Sequence, residues 1–195
     1  MLCIKLKILY NVIIELSDKA GVSLHYRQAE QDDREKIKEV LVRSFSPTYA
    51  YYAQKSFADL QNVLVAEEEG KVTAVINWRI LEAGEKKIGY LFWLAVQPEY
   101  RRRGIAKELI RAAISKMLQE STLTEIYAAV EKSNAPSREL IGSLGFALIS
   151  RAEMKKKYGL KCVQLYFQMM LLPKEDLFML HRDNKYGSVR AFGDG

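Results

Sequence analysis

Apolar residues along this chain recur with two periods, and the switches between them predict its elements. Leu24 to Ala29 (LHYRQA) reads as a strand. DDREKIKEVLVRSF then places Ile37, Val40, Leu41 and Phe45 at helical spacing behind an Asp32 or Asp33 cap. SPTYAYYAQKSFADL reads as a second helix with Pro47 just inside its start. NVLVAEEEG and KVTAVINWRIL predict a hairpin turned at Gly70. Tyr90 to Val96 (YLFWLAV) is apolar on both faces, as a central strand covered on both sides should be, and Pro98 ends it. A helix follows, with Ala106, Leu109, Ile110, Ala113 and Met117 along one stripe and Lys107, Glu108, Arg111 and Ser115 opposite.

TEIYAAV is a further strand, and APSRELIGSLG a short helix with Pro136 in its first turn and Gly145 at a left-handed stop. A final hairpin is expected from FALIS to KCVQLYFQMML, where Val163, Leu165, Phe167 and Met169 alternate with Gln164, Tyr166 and Gln168. The order is mixed α and β. Residues 23–172 read as one domain, 1–22 as an N-terminal strand or helix packing on it, and 173–195 as a polar tail and a candidate for disorder.

Composition narrows this picture. A chain of 195 residues suits one domain, and 49% hydrophobic with 28% charged residues is ordinary for a globular protein. The net charge of +6 suits a phosphate-bearing ligand or an acidic partner and does not by itself indicate nucleic acid. Two cysteines, Cys3 and Cys162, are too few for a disulfide framework, and with His25 and His181 they make no metal-ligand spacing. A reducing cytoplasm is the default, and no metal is expected. The opening MLCIKLKILYNVIIELS is interrupted by Lys5 and Lys7, ends at Glu15 and is too short and charged to span a bilayer.

The candidate chemistry sits in VQPEYRRRGIAKELI, Val96 to Ile110, where three arginines run into Gly104 and an apolar helix. The first turn of a helix has unpaired N–H groups and the positive end of its dipole. A buried strand feeding such a turn, with Gly104 letting the backbone approach, makes a phosphate or diphosphate site. Arg101, Arg102 and Arg103 add positive potential there. On the triplet alone, a merely solvating basic loop explains the pattern equally well.

The wider pattern breaks that tie. LAVQPEYRRRGIAKELI followed about thirty residues later by AAVEKSNAPSRELIGSLGF resembles the GCN5-related N-acetyltransferase (GNAT) superfamily. Val96, Pro98, Tyr100, Arg101, Gly104, Ile105, Ala106, Asn134 and Leu144-Gly145-Phe146 fall on its motifs, and the resemblance spans roughly residues 23 to 171. It implies an α/β (α+β) GNAT acyl-CoA N-acyltransferase fold: a mixed, mostly antiparallel splayed sheet flanked by helices. It implies an enzyme that transfers acetyl from acetyl-CoA to a primary amine by direct attack in a ternary complex. The acceptor is a small molecule, a peptide N-terminus or a lysine, which the sequence does not distinguish.

By the same resemblance, the diphosphate lies on the backbone N–H groups of Arg101 to Ala106. The pantetheine arm pairs with Leu94, Ala95 and Val96, the Val96 N–H faces the thioester carbonyl as oxyanion donor, and Asn134 contacts the arm. Asn134 is read equally well as a helix cap. Pairing through sheet edges to a homodimer is an assembly the resemblance allows.

Where the match breaks, catalysis is in question. A lysine-like amine needs about 4 to 5 kcal/mol to lose its proton at pH 7. Many members have a tyrosine acid in the helix after the Asn, where this chain has Ile141, and the usual base positions fall near Tyr90 and Ala129. Glu131 as a water-mediated base and Tyr158 as an acid reaching in from the hairpin are the substitutes; a strand-end charge and a turn tyrosine are the plainer readings. Catalysis by proximity and oxyanion stabilisation alone is a third route. Tyr49, Tyr51 and Tyr52 are candidates to line the acceptor pocket, and Lys155 to Lys157 a candidate attraction for an acidic acceptor. The alternative functions are a CoA-binding sensor that has lost chemistry and, further off, a nucleic-acid-binding domain using the arginines.

Overall fold

The computed structural model describes residues 14–17, 23–119 and 122–182. Among them eight strands form one sheet: β1 (Ile14–Ser17), β2 (Ser23–Gln28), β3 (Val63–Glu68), β4 (Lys71–Ala83), β5 (Lys86–Val96), β6 (Leu123–Glu131), β7 (Ala147–Ile149) and β8 (Glu175–His181), in the order β1-β2-β3-β4-β5-β6-β8-β7. Every pairing is antiparallel except β5 with β6. A parallel pair needs a long crossover, and α3 (Ile105–Met117) supplies it. The other helices are α1 (Arg34–Ser44), α2 (Pro47–Ser56), α4 (Ala135–Ser143), α5 (Arg151–Tyr158) and α6 (Lys161–Gln168). Among the described residues no helix is long and apolar enough to cross a membrane.

One face of the sheet is covered by α3 and α4. The stripe Ile105, Leu109, Ile110, Ala113, Ile114 and Met117 buries against Ile76, Leu91 and Ile126. Gly89 permits that approach, because a Cβ there would lie 2.7 Å from the Met117 sulfur. The opposite face carries two separate helical pairs. α1 and α2 bury Ile37, Val40, Leu41 and Ala53 against Val75 and Ala95. α5 and α6 bury Met154, Tyr158, Cys162, Leu165 and Met169 over Ile88, Tyr90, Tyr127 and Leu177. The two pairs form separate core clusters on that face.

Most predicted elements stand where the pattern put them, and two do not. The expected final hairpin is helical: α5 and α6 fill residues 151–168. Leu165 and Met169 of the supposed alternating face do bury, together with Cys162, at helical spacing, whereas Val163 and Phe167 point to solvent. The supposed tail supplies β8, a strand buried between β6 and β7, so the domain runs past residue 172 to at least His181. Of the N-terminal extension, Ile14–Ser17 pairs with β2 as an edge strand. The remainder of both termini, Cys3 included, lies outside the described residues.

Candidate active site

The site begins where β5 and β6 part. Their register runs through Tyr90↔Tyr127 and Leu91↔Ala128 and stops there. β6 continues to Glu131 paired only with β8, and β5 continues to Val96 paired only with β4. The register of β4 on β5 shifts between Asn77 and Trp78, so that Asn77 pairs with Trp93 and Trp78 with Leu91, leaving Phe92 as the extra residue of a bulge. The bulge reverses the alternation: Tyr90 before it and Trp93 and Ala95 after it all meet the face of α1, α2, α5 and α6, while Leu91, Leu94 and Val96 meet α3.

The unpaired length of β5 keeps its hydrogen-bonding groups for something else. Gln97 N–H donates to Thr73 on β4 at 2.9 Å. Alternation along a strand then turns the Val96 and Leu94 peptide groups away from β4, toward the splay. The Val96 carbonyl confirms that direction by accepting from Ser44 Oγ at 3.2 Å and from Arg101 Nε at 3.1 Å. Gln97 anchors this end of the strand, with Nε2 on the Val72 carbonyl and Oε1 accepting from Arg43.

Beyond a short turn at Pro98–Tyr100 the chain enters α3 through two left-handed residues, Arg102 (φ 66°) and Gly104 (φ 80°). Left-handed residues interleaved with extended or helical ones curl successive N–H groups toward one point, a concavity for an anion. Lys107 and Glu108 N–H already bond the Gly104 carbonyl, so those of Ile105 and Ala106 are the open groups of the first turn. A Cβ on Gly104 would meet nothing within 4 Å, so the hollow is open at its centre. This fits a diphosphate. The arginines divide their labour: Arg101 ties the loop to β5, Arg103 ties it to Glu68 on β3, and Arg102 is exposed beside the hollow.

From the splay a cleft of about 480 Å³ runs through the sheet. On the α3 and α4 side its walls are Leu94, Ile110, Leu140, Ile141, Asn134 and Ser137. Asn134 caps α4, its Oδ1 accepting from Ser137 N–H at 3.2 Å, and it also lines the cleft, so the cap does not exclude a contact with a bound arm. On the opposite side the walls are Phe45 and Tyr49 from the α1–α2 corner, Phe92 and Trp93 from the bulge, and Glu131, Lys174 and Glu175. Phe45, Tyr49 and Phe92 each meet Trp93 edge-on, with ring centroids within 6.0 Å.

Glu131 lines the cleft but is partly exposed and ion-paired with Lys174 at 3.1 Å. The Lys174 ammonium also sits 4.9 Å from the Tyr49 ring, and with that phenol and Glu131 beside it its pKa is raised. Tyr49 is the one tyrosine of its helix that faces the cleft; Tyr51 and Tyr52 pack on each other at the surface.

Tyr158 does not line the cleft. It is the buried last residue of α5, its hydroxyl bonded to Glu125 Oε2 at 2.6 Å and Tyr127 at 2.9 Å, and Glu125 lies six residues down β6 from Glu131, or about 20 Å of strand. Burial first, and the Glu125 carboxylate second, push its phenol well above the ordinary range, the wrong direction for an acid that must give up a proton. Lys157 closes the same network on Glu125. Burial opposes ionisation of Glu125, but Lys157, Tyr158 and Tyr127 outweigh it and hold the carboxyl below its usual range. Groups of the site that escaped sequence reading include Phe92 and Trp93 of the bulge, Ser44, Gln97, Lys174 and Glu175. The last two were readable only by recognising EDLFMLH as a strand.

Comparison with known proteins agrees with this geometry. The model of the Acetyltransferase (GNAT) family matches residues 28–146. The N-alpha-acetyltransferase MAK3 of Arabidopsis thaliana is 31% identical over 140 residues, covering 71% of this chain and 72% of that protein. An N-alpha-acetyltransferase of Saccharolobus solfataricus is 27% identical over 144 residues, 68% of this chain and 86% of that one. The crystal structure of the NatC complex bound to Gag peptide and CoA superimposes with a TM-score of 0.61 at 23% identity, over 81% of this chain and 98% of the matched one. With the splayed β5, the open loop at Gly104 and the cleft between them in place, the chain belongs to the GNAT acetyltransferase family.

Proposed function

We propose that this acetyl-CoA-dependent N-acetyltransferase acts on the α-amino group of a polypeptide whose first side chain is apolar. The observation that carries the reading is the cleft through the sheet. Its α3–α4 side takes in Leu94 on the free edge of β5 and Ile110 on α3, the helix that opens at the diphosphate hollow, and its other side is walled by Phe45, Tyr49, Phe92 and Trp93. Acetyl-CoA entering from the first side would present its thioester to the Leu94 and Val96 N–H groups, and the acceptor amine would arrive from the aromatic side. Such a wall favours an apolar side chain next to the amine.

The proton balance supports an α-amine over a lysine. An α-amine with a reference pKa of about 7.7–8.0 loses its proton at pH 7 for roughly 1 kcal/mol, against roughly 4 to 5 kcal/mol for a lysine. Ile141 and Ala129 both line the cleft and neither can move a proton, which leaves only the carboxylates at the β6–β8 end, and the easier acceptor asks less of them. The relatives named as N-alpha-acetyltransferases support the same acceptor and favour an enzyme over a sensor that has lost chemistry.

The test is a panel of acceptors read by mass spectrometry with acetyl-CoA. It holds peptides with a free N-terminus and an apolar, basic or acidic first residue, N-blocked peptides with an internal lysine, and polyamines. The apolar free N-termini should show kcat/KM at least tenfold above every other class. Acetylation confined to lysine side chains or polyamines would overturn the proposal.

A further inference from the structure

The structure assigns Glu175, at the head of β8, as the carboxylate that accepts the acceptor amine's proton through water, with Glu131 held by Lys174 as a positioning pair. The assignment rests on the acetyl transfer proposed above and names a residue for it. Among the residues lining the cleft only Glu131 and Glu175 carry carboxylates. They sit opposite one another in the β6–β8 register, so their side chains leave the same face of the sheet, the aromatic side of the cleft. They differ in engagement. Glu131 lies at the rim in an ion pair with Lys174, whose ammonium is in turn laid against Tyr49. Glu175 lies deeper and is fixed by a tight turn: its N–H donates to the Leu172 carbonyl at 3.0 Å, and its Oε2 accepts from the Leu172 N–H at 2.9 Å. That bond holds the side chain through one carboxylate oxygen, Oε2, while the residue lines the cleft.

The groups facing Glu175 come from every side. Lys174 precedes it, Glu131 lies across the strand pair, Tyr49 stands on α2 and Tyr90 on β5. Lys132, Arg151, Tyr166 and Asp176 share with it a second cavity on the α5–α6 side, of about 490 Å³, Asp176 being paired with Arg138. Tyr90 cannot compete for the role, because its hydroxyl donates to the Met169 carbonyl at 3.0 Å and burial raises its pKa beyond reach. Burial is also the largest influence on Glu175, and with the repulsion of Glu131 it outweighs Lys174 and the Leu172 N–H, raising the carboxyl above its usual range. A carboxylate so raised is a better proton acceptor near neutrality than a solvated one.

The step balances as follows. The acceptor ammonium gives one proton to a water, which passes one to Glu175. The freed nitrogen lone pair attacks the acetyl carbon, and the carbon–sulfur bond breaks with its electron pair going to the coenzyme A sulfur. The second nitrogen proton goes to that thiolate by way of solvent, and Glu175 returns its proton to bulk water. Products are the amide, the free thiol and one proton.

The test is the pH dependence of kcat/KM for Glu175→Gln, Glu175→Asp and Glu131→Gln, using the best acceptor of the panel above. Gln keeps the shape and can still accept from Leu172 N–H, so the variant isolates the proton. With two groups to deprotonate, amine and carboxylate, the wild-type logarithmic profile should steepen from slope one to slope two at its acid end. Glu175→Gln should keep slope one throughout and lose about 100-fold or more in kcat/KM. Its acetyl-CoA affinity, measured by calorimetry, should stay within threefold. Glu175→Asp should retain the steep limb at lower rate, which covers the case of a Gln variant that folds poorly. Glu131→Gln should lose less than tenfold and keep the steep limb. A steep limb that survives Glu175→Gln, or vanishes with Glu131→Gln instead, would overturn the assignment. If the panel's best acceptor is a lysine peptide, the α-amine proposal fails while the profiles still decide for or against Glu175.

Discussion

Replacing Gly104 by glutamate should weaken acetyl-CoA binding by at least 100-fold while leaving the protein folded. The open hollow makes this separation of effects feasible. A Cβ there meets no protein atom within 4 Å, so the main cost to folding is the left-handed backbone, φ 80°, about 1–2 kcal/mol for an L-residue. A carboxylate at the N-terminal end of α3 is favourable for the helix itself, through the open N–H groups and the dipole. Toward a bound diphosphate the sign reverses. Two like charges about 4 Å apart repel by about 4 kcal/mol at an effective dielectric near 20, and each 1.4 kcal/mol is about tenfold in affinity. Salt screens part of that, hence the conservative bound. Gly104→Ala is the control: it carries the strain without the charge and should bind within about fivefold of wild type. Calorimetry on the three proteins reads the result, and equal weakening by Ala and Glu would mean that backbone geometry, not a phosphate, accounts for the glycine.

Val96→Pro should lower kcat by about 100-fold to 1,000-fold, the loss usual for one oxyanion donor. Proline deletes a single N–H, and here that N–H lies on the side of β5 that has no neighbouring strand. The ladder to β4 runs through Ala95 and Gln97 instead, the latter on Thr73, so it survives the change. Loss of some packing of Val96 against the α3 side of the core lowers stability modestly. Single-turnover measurement with saturating acetyl-CoA separates the chemical step from binding. A kcat within tenfold of wild type would remove Val96 as the oxyanion donor and leave Leu94, whose N–H shares the same side.

The backbone features on which the proposed coenzyme side rests were legible in the chain, because such geometry writes itself into sequence. Gly104 is demanded by a positive φ, Pro98 by the end of β5, Asn134 by the cap of α4, and the apolar run before them by a strand buried on both faces. The α5–α6 segment was misread because it is apolar at two periods at once. Val163, Leu165, Phe167 and Met169 alternate as a strand would, yet Cys162, Leu165 and Met169 repeat as a helix does, and exposed Val163 and Phe167 tip the count the wrong way. A better signal stood just upstream: Ser150 and Glu153 form a capping box, each satisfying the other's backbone N–H, and that spacing announces a helix. Missing those helices hid β8, and with it Lys174 and Glu175. Tyr158 was then aimed at the wrong place, since a hairpin would have swung it toward the cleft and a helix tucks it beneath Glu125.

Everything functional follows from the parting of β5 and β6 beside the α3 N-terminus, and a crystal structure with coenzyme A bound tests that most directly. The diphosphate should lie on the N–H groups between Arg102 and Ala106, and the pantetheine arm should run along the splay as an added strand, bonded to Leu94 and Val96, with its sulfur in the cleft facing Glu131 and Glu175. A coenzyme seated on another surface, or those N–H groups turned inward onto protein acceptors, would contradict the account.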